Sequence, residues 1–273
     1  MTISRQLVLP VLLGLATPTV MKGQCSGVKG GRVGAIAGVF VAGEALAIGV
    51  RHNDWWTPPR RSFHVISRGS PSKGQDALLH GSISYQASQG SALAWDWACV
   101  PHTTAGWLGA ALGFALGIPK EIGDGLHQNG FSIPDMTWTA AGSLLPAFHR
   151  QWPATRAVQL KVFYWPSEEY RNRTGKYPQL ENDYAGQRYF LSFNPGRADV
   201  SWPRWLGVAG GHSVPYWTTQ PPIHEWYLAL DLDFRGLPIH APWWKRVATV
   251  LDQGHVPMPG VRIRNGEVGF GLF

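Results

Sequence analysis

Charge is scarce in this chain. Lys, Arg, Asp and Glu make up 15% of its 273 residues, against about a quarter in an ordinary soluble domain. That argues against a typical cytosolic enzyme. Cysteine is rarer still: Cys25 and Cys99 are the two present. They define no disulfide framework, match no metal-ligand spacing, and are free to pair or to stay apart. No dense Lys/Arg run with interleaved aromatics occurs, which excludes nucleic acid as a partner. No HExxH pattern and no nucleophile elbow is found, and no second His stands at metal-ligand spacing in the first 150 residues. The sequence therefore indicates no metal and no cofactor.

What is present is apolar and aromatic. Hydrophobic residues reach 44%, with 33 Gly, 21 Pro and 14 Trp, which excludes a disordered chain. A formal net charge of +7 favours anionic partners such as lipid head groups. Residues 1–30 form a signal-like segment or an N-terminal arm: Arg5 precedes the short apolar run "LVLPVLLGLATPTV". "VGAIAGVFVAGEALAIGV" (Val33–Val50) has one charge, Glu44, and is just long enough to span a bilayer core as a helix. Gly34 and Gly38 form a small-xxx-small pair of the kind that brings membrane helices close.

Three further helical patterns follow. In Lys73–Trp95, Asp76, His80 and Ser84 recur every four residues and share one face. In Thr103–Leu126, Ala105, Gly109, Gly113 and Gly117 do the same, and they read as a flat packing face in a membrane bundle. Ile133–Arg150 opens on Ser132 as N-cap, with Pro134 and Asp135 in its first turn, and carries Gly142 in a small-residue cluster. Trp55, Trp56, Trp95, Trp97, Trp107, Trp138 and Trp152 lie near helix ends, where amphipathic indoles meet a bilayer interface.

The few charges of this block concentrate at its small-residue helices: Asp76, His80, Lys120, Glu121, Asp124 and Asp135. Lys120 and Asp124 are spaced to pair on one helix face. Two readings fit. One is a catalytic or metal site, with His80 as base or ligand and Glu121 and Asp124 as carboxylates. The other, which we favour, is a satisfied network that fixes helix register. Lys120, Glu121, Asp124 and Asp135 would then cap and pair the junction between two short helices.

The motifs "DALLHG" (Asp76–Gly81), "KEIGDG" (Lys120–Gly125) and "GFSIPDMTWTAAG" (Gly130–Gly142), in this order, resemble the YfiM-type family of predicted bacterial envelope proteins. They are more distantly similar to VanZ-like membrane proteins. Asp76, His80, Lys120, Glu121, Asp124, Ser132, Asp135 and Gly142 match the family's pattern, whereas Ala77 stands where the family has Lys. Later stretches, "ENDYAGQRYFLSFNP", "WYLALDLDF" and "VPMPGVRIR", resemble its long versions. The resemblance covers roughly residues 45–273. It implies a bacterial cell membrane or envelope location, inner or outer, and brings no established reaction.

From residue 151 the pattern changes. "AVQLKVFYW", "QRYFLSF", "EWYLALDLDF", "VRIR" and "EVGFGLF" alternate as strands. Pro195–Glu225 reads as a long Pro/Gly/Trp loop, and Ala241–Gly254 as a short helix stopped by Gly254. A terminal Phe after alternating residues resembles an outer-membrane barrel, but five strands are fewer than the smallest such barrel needs. The long apolar loops suit a docking surface for a partner or head groups, or a cover for the domain's own core.

The expected fold is therefore α+β. An N-terminal bundle of about four short Gly-rich membrane helices (31–150) precedes a small β-rich, loop-rich C-terminal domain (151–273). The expected function is that of a non-catalytic envelope membrane protein, a structural or assembly subunit whose partners are membrane lipids and other membrane protein subunits. The alternative is an intramembrane enzyme using His80, Glu121 and Asp124 on a lipid or envelope intermediate.

Overall fold

The computed structural model of the chain describes residues 25–54, 56, 59–67, 74–172, 183–198, 200–216 and 222–273. Residues 1–24 of the signal-like segment 1–30, and Trp55, lie outside the described residues. Within the described residues the chain forms two compact units. One comprises 25–67 with Ile83–Gln151. The other comprises 74–82 with Trp152–Phe273.

The helical unit begins with α1 (Gly30–Asp54). Val, Ala, Ile and Leu fill its sequence, Arg51 and His52 favour its C-terminal end, and Pro58 and Pro59 follow. Both ends are tethered. Cys25 is disulfide-bonded to Cys99, Arg32 donates to the Trp97 carbonyl at 2.6 Å, and Ile36 packs with Ala94 and Ala98. At the far end the Trp56 N–H donates to the Arg51 carbonyl at 3.0 Å. The stretch between projects Val39, Val41, Leu46 and Ile48 outward. Only 6% of this apolar stretch is buried. No neighbour lies within 4 Å of where a Cβ would stand on Gly34 or Gly38.

Helices α2 (Gln75–Trp97), α3 (His102–Ala115), α4 (Ile118–Gly125) and α5 (Ile133–Gln151) follow. A two-residue parallel bridge, β1 (Val65–Ile66) with β2 (Phe131–Ser132), fastens the 59–67 segment. The glycine face of α3 packs as its spacing requires. A Cβ on Gly109 would stand 2.6 Å from the Ser88 carbonyl, and one on Gly113 2.8 Å from that of Ser84, both on α2. A Cβ on Gly117 would meet the Thr139 side chain of α5 at 2.9 Å. Gly142 is buried on α5. Ser88 donates to the Ser143 carbonyl at 2.8 Å, and Arg150 grips Asp96 with two bonds of 2.9 Å, so α2 and α5 are joined at two points.

The expected four-helix membrane bundle is not what forms. Among the described residues, α1 is the one helix long and apolar enough to cross a membrane. At 1.5 Å per residue, the 14-residue α3 and the 8-residue α4 fall short of a hydrocarbon core of about 30 Å. The longer α2 buries Ser82, Ser84 and Ser88, which marks it as an interior helix. Small residues produced close helix packing here without requiring lipid around every helix. Trp56 departs from the expected interfacial belt, being 8% exposed and packed inside the unit.

The second unit is a six-stranded antiparallel meander: β3 (Val158–Tyr164), β4 (Gln187–Phe193), β5 (Leu206–Tyr216), β6 (Ile223–Leu232), β7 (Pro259–Arg264) and β8 (Glu267–Leu272), each paired with the next. Two short helices, α6 (Glu168–Asn172) and α7 (Trp244–Leu251), complete it. The β7–β8 hairpin turns on Asn265 and Gly266, whose φ of 50° and 82° suit a two-residue turn with left-handed backbone. Strand β5 occupies the stretch read as a long loop. Gly207, Gly210, Gly211 and Pro215 dilute its alternation, and tertiary pairing with β4 and β6 overrides the weak local preference.

The register sorts the side chains by face. Leu191, Gly210, Leu228, Val261 and Phe270 stand opposite one another in one row, and His212, Trp226, Ile263 and Val268 in another. This face is apolar and outward except at the His212 end, where Tyr189 beside it is buried. The opposite face carries Lys161, Ser192, Glu225 and Asp231, all buried. The sheet is strongly curled around this polar side. Lys161 on β3 reaches Asp231 on β6 at 2.6 Å, whereas three strand spacings in a flat sheet amount to about 14 Å. Residues 253–255 lie inside the curl and along the edge of β3, where Val162 donates to the Gln253 carbonyl at 3.2 Å and His255 to that of Val162 at 3.0 Å.

Candidate functional site

Three polar clusters hold most of the buried charge. The first is in the helical unit. Pro119 lies in the first turn of α4, and helical spacing puts Lys120 and Asp124 on one face. Lys120 Nζ lies 2.9 Å from Glu121 Oε1 and 3.1 Å from Asp124 Oδ2. The remaining oxygens are engaged as well. Glu121 Oε2 accepts the Ser132 N–H at 2.8 Å, and Asp124 Oδ1 accepts the Trp56 indole at 2.9 Å. The Trp56 ring stacks on His127 at 5.7 Å and passes where a Cβ on Gly123 would stand, 1.9 Å away. Burial pushes the Glu121 carboxyl above its ordinary value, opposed by Lys120 and the Ser132 bond. Ser132 also accepts the Asp135 N–H at 3.3 Å, so one residue caps α5 and holds Glu121. Thr139 donates to the Asp135 carbonyl at 2.8 Å.

The second cluster is in the sheet unit, where the first turn of α2 lies with β4, β5 and β6. His80 Nε2 stands 3.8 Å from Asp76 Oδ1, the i,i+4 neighbour, and Tyr184 donates to the same Asp76 oxygen at 3.1 Å. Gln75, fully buried, lies 3.3 Å from His212 Nδ1. His212 Nε2 lies 3.0 Å from His224 Nδ1, and its ring packs on Trp226 at 4.4 Å. Burial, helped by His224, pushes the His212 pKa down to about 4, so this imidazole is neutral at physiological pH. Asp76 and His80 offer one carboxylate and one imidazole from a single helix face, two ligand types that metals take.

The third cluster fills the curl of the sheet. Asp231 accepts from Lys161 at 2.6 Å, from Ser192 at 2.6 Å and lies 2.8 Å from His255 Nδ1. The other His255 nitrogen lies 2.9 Å from the Phe273 carbonyl, and Phe190 stacks on the ring at 3.9 Å. Lys161 also donates to the Leu232 carbonyl at 2.8 Å. Burial alone would raise the Asp231 pKa; His255, Lys161 and Ser192 more than offset it and hold the carboxyl below its ordinary value. A Ser, a His and an Asp meet here, but the hydroxyl donates to the carboxylate and not to the imidazole. A nucleophile needs its base within hydrogen-bond reach, so this is an internal ion pair with added bonds. Beside it Arg197 bridges Asp233 and Asp252, the latter at 2.6 Å, and Arg235 joins Asp252 at 2.6 Å.

The sequence singled out Lys120, Glu121 and Asp124, which meet in the helical unit, and Asp76 and His80, which meet in the sheet unit. Asp135 lies in the helical unit at the start of α5. Lys161, Asp231, His255, Arg197 and Asp252 were missed. A signal exists for some of them. In "WYLALDLDF" Leu228, Leu230 and Leu232 take one strand face and Asp231 the other, and Lys161 interrupts β3 at the equivalent inward position.

Compared with known proteins, the chain matches no family model, and neither a curated protein nor a solved structure is detectably similar.

Proposed function

We propose that the chain is a non-catalytic membrane protein of a bacterial envelope, a structural or assembly subunit that braces a larger membrane complex through its Trp-rich C-terminal region. One observation carries this reading: a large apolar surface faces outward although several charges are buried. Lys120, Lys161 and Arg197 meet buried carboxylates at 2.6–3.1 Å, while α1 and much of one sheet face present apolar side chains outward. A water-soluble fold hides such surface, because exposing it costs about 25 cal/mol per Å². The Cys25–Cys99 disulfide supports an oxidising compartment. The order of the DALLHG, KEIGDG and GFSIPD motifs supports the bacterial envelope.

The raised Glu121 pKa favours a second reading, an intramembrane enzyme using His80, Glu121 and Asp124 on a lipid or envelope intermediate. Against it, both oxygens of Glu121 and of Asp124 already accept hydrogen bonds from the chain itself. The test joins two measurements: the size of the native assembly in gently solubilised membranes, and the behaviour of H80A, E121A and D124L. The structural role predicts a larger complex, and for D124L a lost melting transition, since breaking a buried pair costs about 3–5 kcal/mol. A free monomer, or variants of unchanged stability that abolish a cellular function, would favour the enzyme.

A further inference from the structure

The outward face of the β-sheet covers too much apolar area to be left to water. Leu191, Phe193, Trp226, Leu228, Phe270 and Leu272 are 49–84% exposed. Together with their neighbours on β4 to β8 they present on the order of 1,000 Å², against about 300–600 Å² for the largest patch of a typical monomer. From β4 to β8 this face carries no Lys, Arg, Asp or Glu.

We infer that this face lies against the acyl chains of one membrane leaflet. The inference extends the membrane reading above to a particular surface. Two features choose lipid over a protein partner. A protein interface makes about one hydrogen bond per 100–200 Å², yet the middle rows, Leu191 to Phe270 and Phe193 to Leu230, offer no side-chain donor or acceptor. Exposed indoles stand beyond both ends of the strands: Trp165 just after β3, and Trp202 and Trp205 just before β5. Trp gathers where hydrocarbon meets head groups. A further feature chooses one leaflet over a full crossing. Among the described residues the outer edge of β8 has no partner strand, and hydrocarbon does not tolerate an open sheet edge. With the face resting on the leaflet, its edges stay at head-group level, where water satisfies them.

The test uses the full chain with its disulfide intact. L228C, F270C, V41C on α1 and K245C on α7 are each labelled with an environment-sensitive fluorophore. The labelled proteins are reconstituted into vesicles of phosphatidylethanolamine and phosphatidylglycerol doped with spin-labelled lipid. The labels at 228 and 270 are expected to shift to the blue and lose most of their fluorescence to quenchers near the top of the acyl chain. The label at 245 should stay in water. If 228 and 270 remain in water while 41 is quenched, the sheet inference fails and the membrane reading stands. If the protein leaves the vesicles altogether, both fail. Stronger quenching from the chain centre than from its top would contradict the single-leaflet placement. Labels shielded from lipid quenchers that cross-link to a second copy would replace lipid by a dimer.

Discussion

Asp231 shows what an inward charge does here. Its carboxylate neutralises Lys161, which is 1% exposed, inside the curl of the sheet. Replacing it, as in D231N, leaves the ammonium buried without its counter-charge, and we expect a loss of about 3–5 kcal/mol. The K161M/D231L pair should recover much of that, because apolar residues of similar volume replace buried ion pairs at little cost. The pH dependence has a defined sign. The folded pKa lies below 3.8, so the stability it confers is complete above that value and is lost as pH falls through the folded pKa. Melting of the sheet unit followed at acid pH should show this for the native chain and not for D231N. A D231N chain as stable as the native one would contradict the assignment. At this scale the sequence was readable where charges sit close along the chain. Lys120, Glu121 and Asp124 lie within one helical turn or so, and their pairing follows from spacing. Lys161 and Asp231 are 70 positions apart in sequence, and only the curl of the sheet brings them together.

At the scale of elements, the glycine face of α3 was legible because helical periodicity is local: Gly109 and Gly113 had to share a side, and both meet α2 backbone, whereas Gly117 falls beyond the end of α3 and meets Thr139 of α5. Membrane insertion was not legible from the same glycines, since close packing serves an interior helix equally well. Strand β5 was illegible because four of its eleven residues are Gly or Pro; its place comes from the neighbours. The tether of α1 gives a measurable consequence. The Cys25–Cys99 bond closes a loop with a sequence separation of 74, worth about 4 kcal/mol in the chain-entropy account. Reduction, or the C25S/C99S pair, is expected to lower the melting temperature of the helical unit by roughly 15–20 °C. Circular dichroism in mild detergent reads this directly, and an unchanged transition would mean that Arg32 and Ile36 hold the helix end without the bond.

For the whole molecule, the organising feature is apolar surface left outward, on α1 and on the sheet, beside paired charges buried within each unit. Low charge content signalled this from the sequence, and so did the 18-residue run of α1. The alternation of β6 carried the same message for the sheet, but an alternating strand does not say which of its faces meets water, and the apolar one would ordinarily be assigned to the core. The most direct test is partition between phases. The intact chain is expected to enter the detergent-rich phase on cloud-point separation and to stay with membranes through an alkaline carbonate wash. A protein that is monodisperse in buffer without detergent, and released from membranes by carbonate, would contradict the account.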